Sequence, residues 1–294
     1  MSINGIDVIY WINLDRSSDR KMNMENIFND ECFDNNIPKL RFSAVDGKKD
    51  NIDAMINVKN KTITDSEYGC LLSHLEIIRE FSNSQHDTAL IMEDDLTLDF
   101  KQYWNKDLNT IIENCPSDWE VIMLSYISNQ LPKEDYTFNK NEYWSTLAYV
   151  INKKGATRFM NDIYIDNKYK LEQNINNEAD QYIFQKIKTY VYKYPLFIYK
   201  YGESSTLHQG AISRHDSSKK RIENMYAFSR KTGAVIPNEP ENVIEEFTSY
   251  ISGTCDAMQY YAYFFLFLLI TSILIYILAI FELINVKIIK RIYT

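Results

Sequence analysis

The sequence is poor in the residues that mark several common protein classes. It has only 8 glycines and 6 prolines among 294 residues, which excludes collagen-like repeats and Pro-rich architectures. Its four cysteines, Cys32, Cys70, Cys115 and Cys255, include no CxxC pair. Their spacing suits neither a zinc knuckle nor a dense disulfide framework, so free thiols in a reducing compartment are expected. Basic residues do not predominate: 32 Lys+Arg stand against 40 Asp+Glu, a net charge of −8. Such a chain is poorly suited to a phosphate backbone, and no nucleic-acid partner is expected. No GxxxxGK[ST] phosphate loop and no internal repeat occur. The opening segment MSINGIDVIYWINLDR lacks a basic region followed by an apolar one, so no cleaved signal peptide is visible.

What is present fits a packed body. Hydrophobic residues are 45% and charged residues 24% of the chain, enough for one large domain or two small ones. Asp7–Asn13 (DVIYWIN) is a short apolar run rich in β-formers and predicts a buried strand. Asp19–Asn29 has helical character. Lys39–Ala44 alternates like a strand and closes on the turn signal Asp46–Gly47. Thr64 with Glu67 fits a capping box, and Leu71, Leu75 and Ile78 follow at helical spacing. Thr88–Met92, Trp119–Leu124 and Ser145–Ile151 read as further strands. Gly155–Met160 and Ala179–Ile187 read as helices, and Tyr190–Tyr199 is β-rich. This alternation predicts an α/β sheet covered on both faces.

The densest chemistry is Glu93–Asp94–Asp95, placed directly after the strand TALIM. Two unit charges ~4 Å apart repel by about 4 kcal/mol at an effective dielectric of about 20. A hard divalent cation relieves that repulsion and can hold a diphosphate. In open α/β sheets, ligands sit beyond the carboxyl ends of strands. At the first strand's end come Asn13, Arg16 and Arg20, side chains suited to a nucleotide base or phosphate. Asp46 can accept from a base or a ribose hydroxyl. On the helix after Thr64, Glu67 and His74 share a face, and Gly69 allows close backbone approach.

Together these stretches resemble glycosyltransferase family 25, which includes lipooligosaccharide galactosyltransferases and the enzymes that glycosylate hydroxylysine in collagens. The matching segments are INLDRSSDR (12–20), AVDG (44–47), SEYGCLLSH (66–74), ALIMEDD (89–95), WEVIML (119–124), STLAYVINKKGATRFM (145–160), EADQYIF (178–184) and VYKYPLF (191–197). The resemblance implies a GT-A-like fold, with a Rossmann-like mixed sheet flanked by helices. It further implies a UDP-sugar donor, Mn2+ at the acidic motif, and transfer of a hexose, galactose or glucose, to a hydroxyl on a glycan, lipooligosaccharide or hydroxylysine. Carried over, Glu93, Asp94 and Asp95 lie at the metal and donor diphosphate. His208 would complete the metal shell, with His215 as its rival. Asn13, Leu14, Arg16, Arg20, Asp46 and Gly47 lie near the nucleotide, and Ser73 and His74 at the edge of the donor site. The family is described as inverting, which needs a base for the acceptor hydroxyl. Asp180 is the candidate, and Glu178 the second. One departure stands out: Ser125–Tyr126 occupies a place where many members carry an acid. That keeps open an inactive, membrane-anchored interaction module, besides a metal-dependent nucleotidyl- or phosphotransferase.

The far end of the chain reads differently. Tyr260–Phe281 is 22 residues without a charge, flanked by tyrosines on one side and by Lys287, Lys290 and Arg291 on the other. At ~1.5 Å per residue it can span a hydrocarbon core of about 30 Å. The expected organisation is therefore a glycosyltransferase domain over 1–225, a linker over 226–256, a transmembrane helix over 257–286 and a basic tail over 287–294. The basic tail favours a C-terminus on the cytoplasmic side, whereas a span inserted after synthesis leaves the body in the cytosol; the expectation is a single-pass C-terminal anchor with a cytosolic catalytic body.

Overall fold

The computed structural model describes residues 1–172, 175–200 and 212–232. In chain order its first half contains β1 (Val8–Asn13), α1 (Ser18–Ile27), β2 (Lys39–Ser43), α2 (Ile52–Met55), β3 (Ile56–Asn57), α3 (Asp65–Asn83), β4 (Thr88–Glu93), β5 (Leu96–Thr97) and α4 (Leu108–Asn114). Then follow β6 (Val121–Met123), β7 (Tyr136–Phe138), β8 (Ala148–Asn152), α5 (Lys153–Ile163), β9 (Tyr164–Ile165) and β10 (Lys168–Lys170). The series ends with α6 (Ala179–Lys186), β11 (Thr189–Tyr192), β12 (Ile198–Tyr199) and α7 (Ile212–Thr232). The chain divides after residue 236 into two units, and every described residue lies in the first.

Seven strands form the main sheet in the order β2-β1-β4-β8-β6-β11-β7. β1 is buried at every position because it lies between parallel neighbours β2 and β4 with both faces covered. That environment explains its unbroken apolar run. β8 enters antiparallel between β4 and β6, and β7 adds an antiparallel edge, so the sheet is mixed. Against one face packs α3, with Leu71, Leu75, Ile78 and Phe81 fully buried. Truncating one such Leu to Ala costs about 2–5 kcal/mol. The expected capping box is present: the Thr64 hydroxyl accepts from the Glu67 N–H, and the Glu67 carboxylate accepts from Thr64 N at 2.6 Å.

Register positions the site. In β1, Ile12 pairs with Glu93 of β4 and Asn13 with Ser43 of β2. Three parallel strands therefore end level, and the residues just past them emerge side by side. The β-rich run 190–199 breaks into β11 and β12 around Pro195, with Tyr194, Leu196 and Phe197 buried between them. The small strands β3, β10 and β9 form a separate sheet, and β12 pairs with β5.

One part of the expected fold class requires correction. The α/β sheet is present, but among the described residues no helix is long and apolar enough to cross a membrane. The longest, α7, carries ISRHDSSKKRIENMYAFSRKT, with charges throughout. The expected transmembrane helix, 257–286, lies outside the described residues. The single-pass anchor, and the localisation derived from it, are accordingly not retained.

Candidate functional site

A cavity of about 120 Å3 opens where β1 and β4 end, bounded also by the segment after β2 and by α3. Asn13, Leu14, Arg16 and Arg20 line it from the β1–α1 side. Asp46 and Gly47 contribute from the segment after β2, Ser73 and His74 from α3, and Glu93, Asp94 and Asp95 from the tip of β4. These are all the residues expected near the donor, together with the whole acidic triplet. His208 lies outside the described residues. His215 packs edge-on against Tyr199, at 5.1 Å between ring centroids, and does not line the cavity.

The three carboxylates diverge into different environments. Glu93 Oε1 meets His74 Nε2 at 3.2 Å and accepts the Thr146 hydroxyl at 2.5 Å. Burial works to raise its pKa, yet His74, Thr146 and Arg20 outweigh it and hold Glu93 below the ordinary glutamate range. Asp94 Oδ2 accepts from the Asn13 amide at 2.6 Å, and Oδ1 from Arg20 at 3.0 Å. Burial nonetheless moves the Asp94 pKa up. Asp95 is the least satisfied: among the described residues its Oδ1 is buried and meets no hydrogen-bond partner. Burial, then Glu93 and Asp94, push its pKa up to about 7 against the pull of Arg20.

Local sequence explains the surrounding frame. Asn13 is 1% exposed, and both ends of its amide are used: Arg41 donates to Oδ1 at 3.0 and 2.8 Å while Nδ2 donates to Asp94. Arg16 pairs with Asp46 across the cavity mouth. The Val45 N–H donates to Ser73 Oγ at 2.9 Å, and Ser73 in turn donates to the Gly69 carbonyl at 2.7 Å. Gly69 is required here, because a Cβ on it would stand 2.7 Å from the Val45 carbonyl oxygen. Backbone thus packs on backbone, and Asp46 is held at the rim.

Asp180 and Glu178 do not line the cavity. Asp180 opens α6, and its Oδ2 accepts from the Ser145 N–H at 2.8 Å while Oδ1 accepts from Gln181 N at 2.7 Å. Ser145 has φ +112°, a conformation that persists only where surroundings hold it. Burial raises the Asp180 pKa, with the two backbone donors and a repulsive Glu93 as further influences. Glu178 Oε2 accepts from the Gln181 amide at 3.0 Å. At the departure Ser125–Tyr126 both residues are buried, and the Tyr126 hydroxyl donates to the Lys193 carbonyl at 2.9 Å.

Four further residues belong to the site without a signal in the sequence: Arg41, Cys70, Thr146 and Tyr149. Tyr149 of β8 faces His74, with its hydroxyl 3.0 Å from Nδ1. Cys70 and His74 line the cavity from α3, and burial pushes the Cys70 thiol well up. The contacts of Arg41 with Asn13, Thr146 with Glu93 and Tyr149 with His74 each cross between separate elements.

The donor set fits a hard divalent cation. Oxygen ligands suit such an ion, and the orphaned Asp95 Oδ1 is an oxygen that a cation would satisfy. Asp95 and Asp94 would hold the ion, with Glu93 beside them.

A family description for glycosyltransferase family 25 (LPS biosynthesis protein) matches residues 6–167, more than half of the chain. The chain belongs to glycosyltransferase family 25. It is 27% identical over 179 residues to procollagen galactosyltransferase 1 of Danio rerio, and 28% identical over 184 residues to procollagen galactosyltransferase 2 of Homo sapiens. Each alignment takes in 53% of this chain and 28% of the relative, so the chain is matched to little more than a quarter of those proteins. Among solved structures, it is similar to a glycosyltransferase involved in glycosylation of the major capsid of PBCV-1, with a TM-score of 0.35 and 11% identity over 74% of this chain and 98% of that one.

Proposed function

We propose that the chain is a metal-dependent hexosyltransferase that moves galactose or glucose from a UDP-sugar to a hydroxyl of a glycan or protein acceptor. The observation that carries the reading is Asp95: a buried carboxylate oxygen with no hydrogen-bond partner among the described residues, inside a cavity that also presents Arg16, Arg20 and Asp46. An anionic cluster of this kind becomes favourable when a divalent cation and a diphosphate complete it. Arg20 bridges toward both Asp94 and Asp95, and its guanidinium suits a phosphate. Asp46 is proposed to meet the nucleoside, with Asn13 acting through Asp94, whose carboxylate its amide holds.

Mn2+, when bound at Asp94 and Asp95, would offset the negative charge that develops on the departing diphosphate. The chain's own residues orient the donor and receive a proton. In the proposed displacement the acceptor oxygen bonds to the anomeric carbon as the carbon–phosphate oxygen bond breaks. Configuration inverts, and the hydroxyl proton passes to a carboxylate. Asp180 is proposed for that role, with Glu178 second. Burial raises the Asp180 pKa, as a general base requires, and each of its oxygens keeps a lone pair beyond the one already used.

A panel of UDP-hexoses incubated with the full chain and Mn2+, followed by release of free UDP, tests the reading. Release above the enzyme-free rate, suppressed by a chelator, supports it. No release with any donor, together with no nucleotide binding, overturns it and favours a non-catalytic module.

A further inference from the structure

The cavity lining offers a second and chemically different set of donors. Cys70 and His74 stand one helical turn apart on α3, and Glu93 approaches from the end of β4. One ligand atom from each, a sulfur, a ring nitrogen and a carboxylate oxygen, lie within 4.8 Å of one another. Residues four apart on a helix share a face, which is how paired ligands are commonly presented. His74 is 1% exposed and directed from behind: Nδ1 lies 3.0 Å from the Tyr149 hydroxyl while Nε2 faces Glu93. A ligating histidine is typically oriented by a hydrogen bond at its other nitrogen. All three side chains line the cavity, so a fourth position would open into it.

We propose that Cys70, His74 and Glu93 form a site for a thiophilic divalent cation of the zinc class, distinct in chemistry from the all-oxygen position at Asp94 and Asp95. Thiolate and imidazole select such ions over manganese or magnesium. Binding forms metal–sulfur, metal–nitrogen and metal–oxygen bonds. The thiol proton is released to solvent, the Nε2–Glu93 hydrogen bond is replaced by the metal, and the single imidazole proton resides on Nδ1, which donates a hydrogen bond to the Tyr149 hydroxyl oxygen. A cation there sits on the cavity lining and engages Glu93, so it would obstruct whatever the cavity binds. The inference stands whether or not the chain transfers sugar.

The test uses the full chain with cobalt(II) chloride alone as a spectroscopic probe. The parent protein should show a cobalt–thiolate charge-transfer band that zinc chloride abolishes, and Cys70→Ser should lack the band. Tyr149→Phe should keep the band but weaken zinc binding by about 10–100-fold, as loss of an outer-shell partner does. A measurement on the unmutated chain guards against a variant that fails to fold: zinc should protect Cys70 from alkylation, mapped by peptide mass, while Cys32 and Cys115 are unaffected. Absence of the band in the parent, its persistence in Cys70→Ser, or alkylation of Cys70 at the same rate with and without zinc would each overturn the assignment.

Discussion

The amide of Asn13 and the carboxylate of Asp94 are joined at 2.6 Å, and this bond couples the ends of two adjacent parallel strands. Asn13 is the last residue of β1, and Asp94 is the first past β4. Arg41, on β2, grips the other end of the same amide. One side chain therefore ties three adjacent strands together beside the cavity. Asn13→Ala should destabilise the fold by about 1–3 kcal/mol, since a buried carboxylate loses a donor. Urea unfolding measures this as a lower midpoint at unchanged slope. Asn13→Asp should be worse, because it sets a second carboxylate against Asp94.

Asp95→Asn should leave the protein folded and, in metal-free buffer, at least as stable as the parent. The substitution removes a charge that burial and two neighbouring carboxylates disfavour. Mn2+ should raise the parent's unfolding temperature by mass action but not the variant's. Metal-dependent sugar transfer should disappear with the substitution, and retained turnover would remove Asp95 from the metal site.

Asp180→Asn separates the proposed base from a donor-site residue. The expected result is a large fall in kcat with UDP affinity nearly unchanged, read by steady-state kinetics and calorimetry. Collapse of UDP affinity would instead mean that Asp180 acts through the Ser145 turn, whose N–H it accepts, and through Thr146 on Glu93.

The acid limb of stability should reflect Asp30. Its carboxylate accepts from Lys101 Nζ at 2.6 Å and from the Cys32 N–H at 2.9 Å. Lys101 first, then the Cys32 N–H, lower its pKa from 3.8 to about 2. A depressed carboxylate pKa stabilises the folded state above the unfolded value and loses that contribution as pH falls through about 2. Both side chains are partly exposed, so Lys101→Met should cost only about 0.5–1 kcal/mol near neutral pH. The gap between parent and variant should shrink as pH falls from about 4 to about 2, followed by circular dichroism.

Much of this was legible before the structure. Runs such as VIYWIN and TALIM announce strands buried on both faces, because only full burial tolerates continuous apolar residues. Thr64 and Glu67 announce a helix start through a local, reciprocal bond. The acidic tip is legible for the same reason: it is contiguous. Not legible were the antiparallel insertion of β8 and the partners it delivers, Thr146 to Glu93 and Tyr149 to His74. Register between strands 50 or more residues apart sets those contacts, and nothing in the local pattern encodes them. Cys70 reads as an ordinary thiol in isolation and gains meaning only beside His74 and Glu93. Helix α7 is rich in charge and carries no sharp apolar stripe, so nothing in the local pattern marks it.

Calorimetric titration of UDP into the full chain, with and without Mn2+, tests the central claim most directly. The account predicts measurable UDP binding that requires the metal and is lost in Asp95→Asn. UDP binding of equal strength without metal, or unaltered by that substitution, would contradict it.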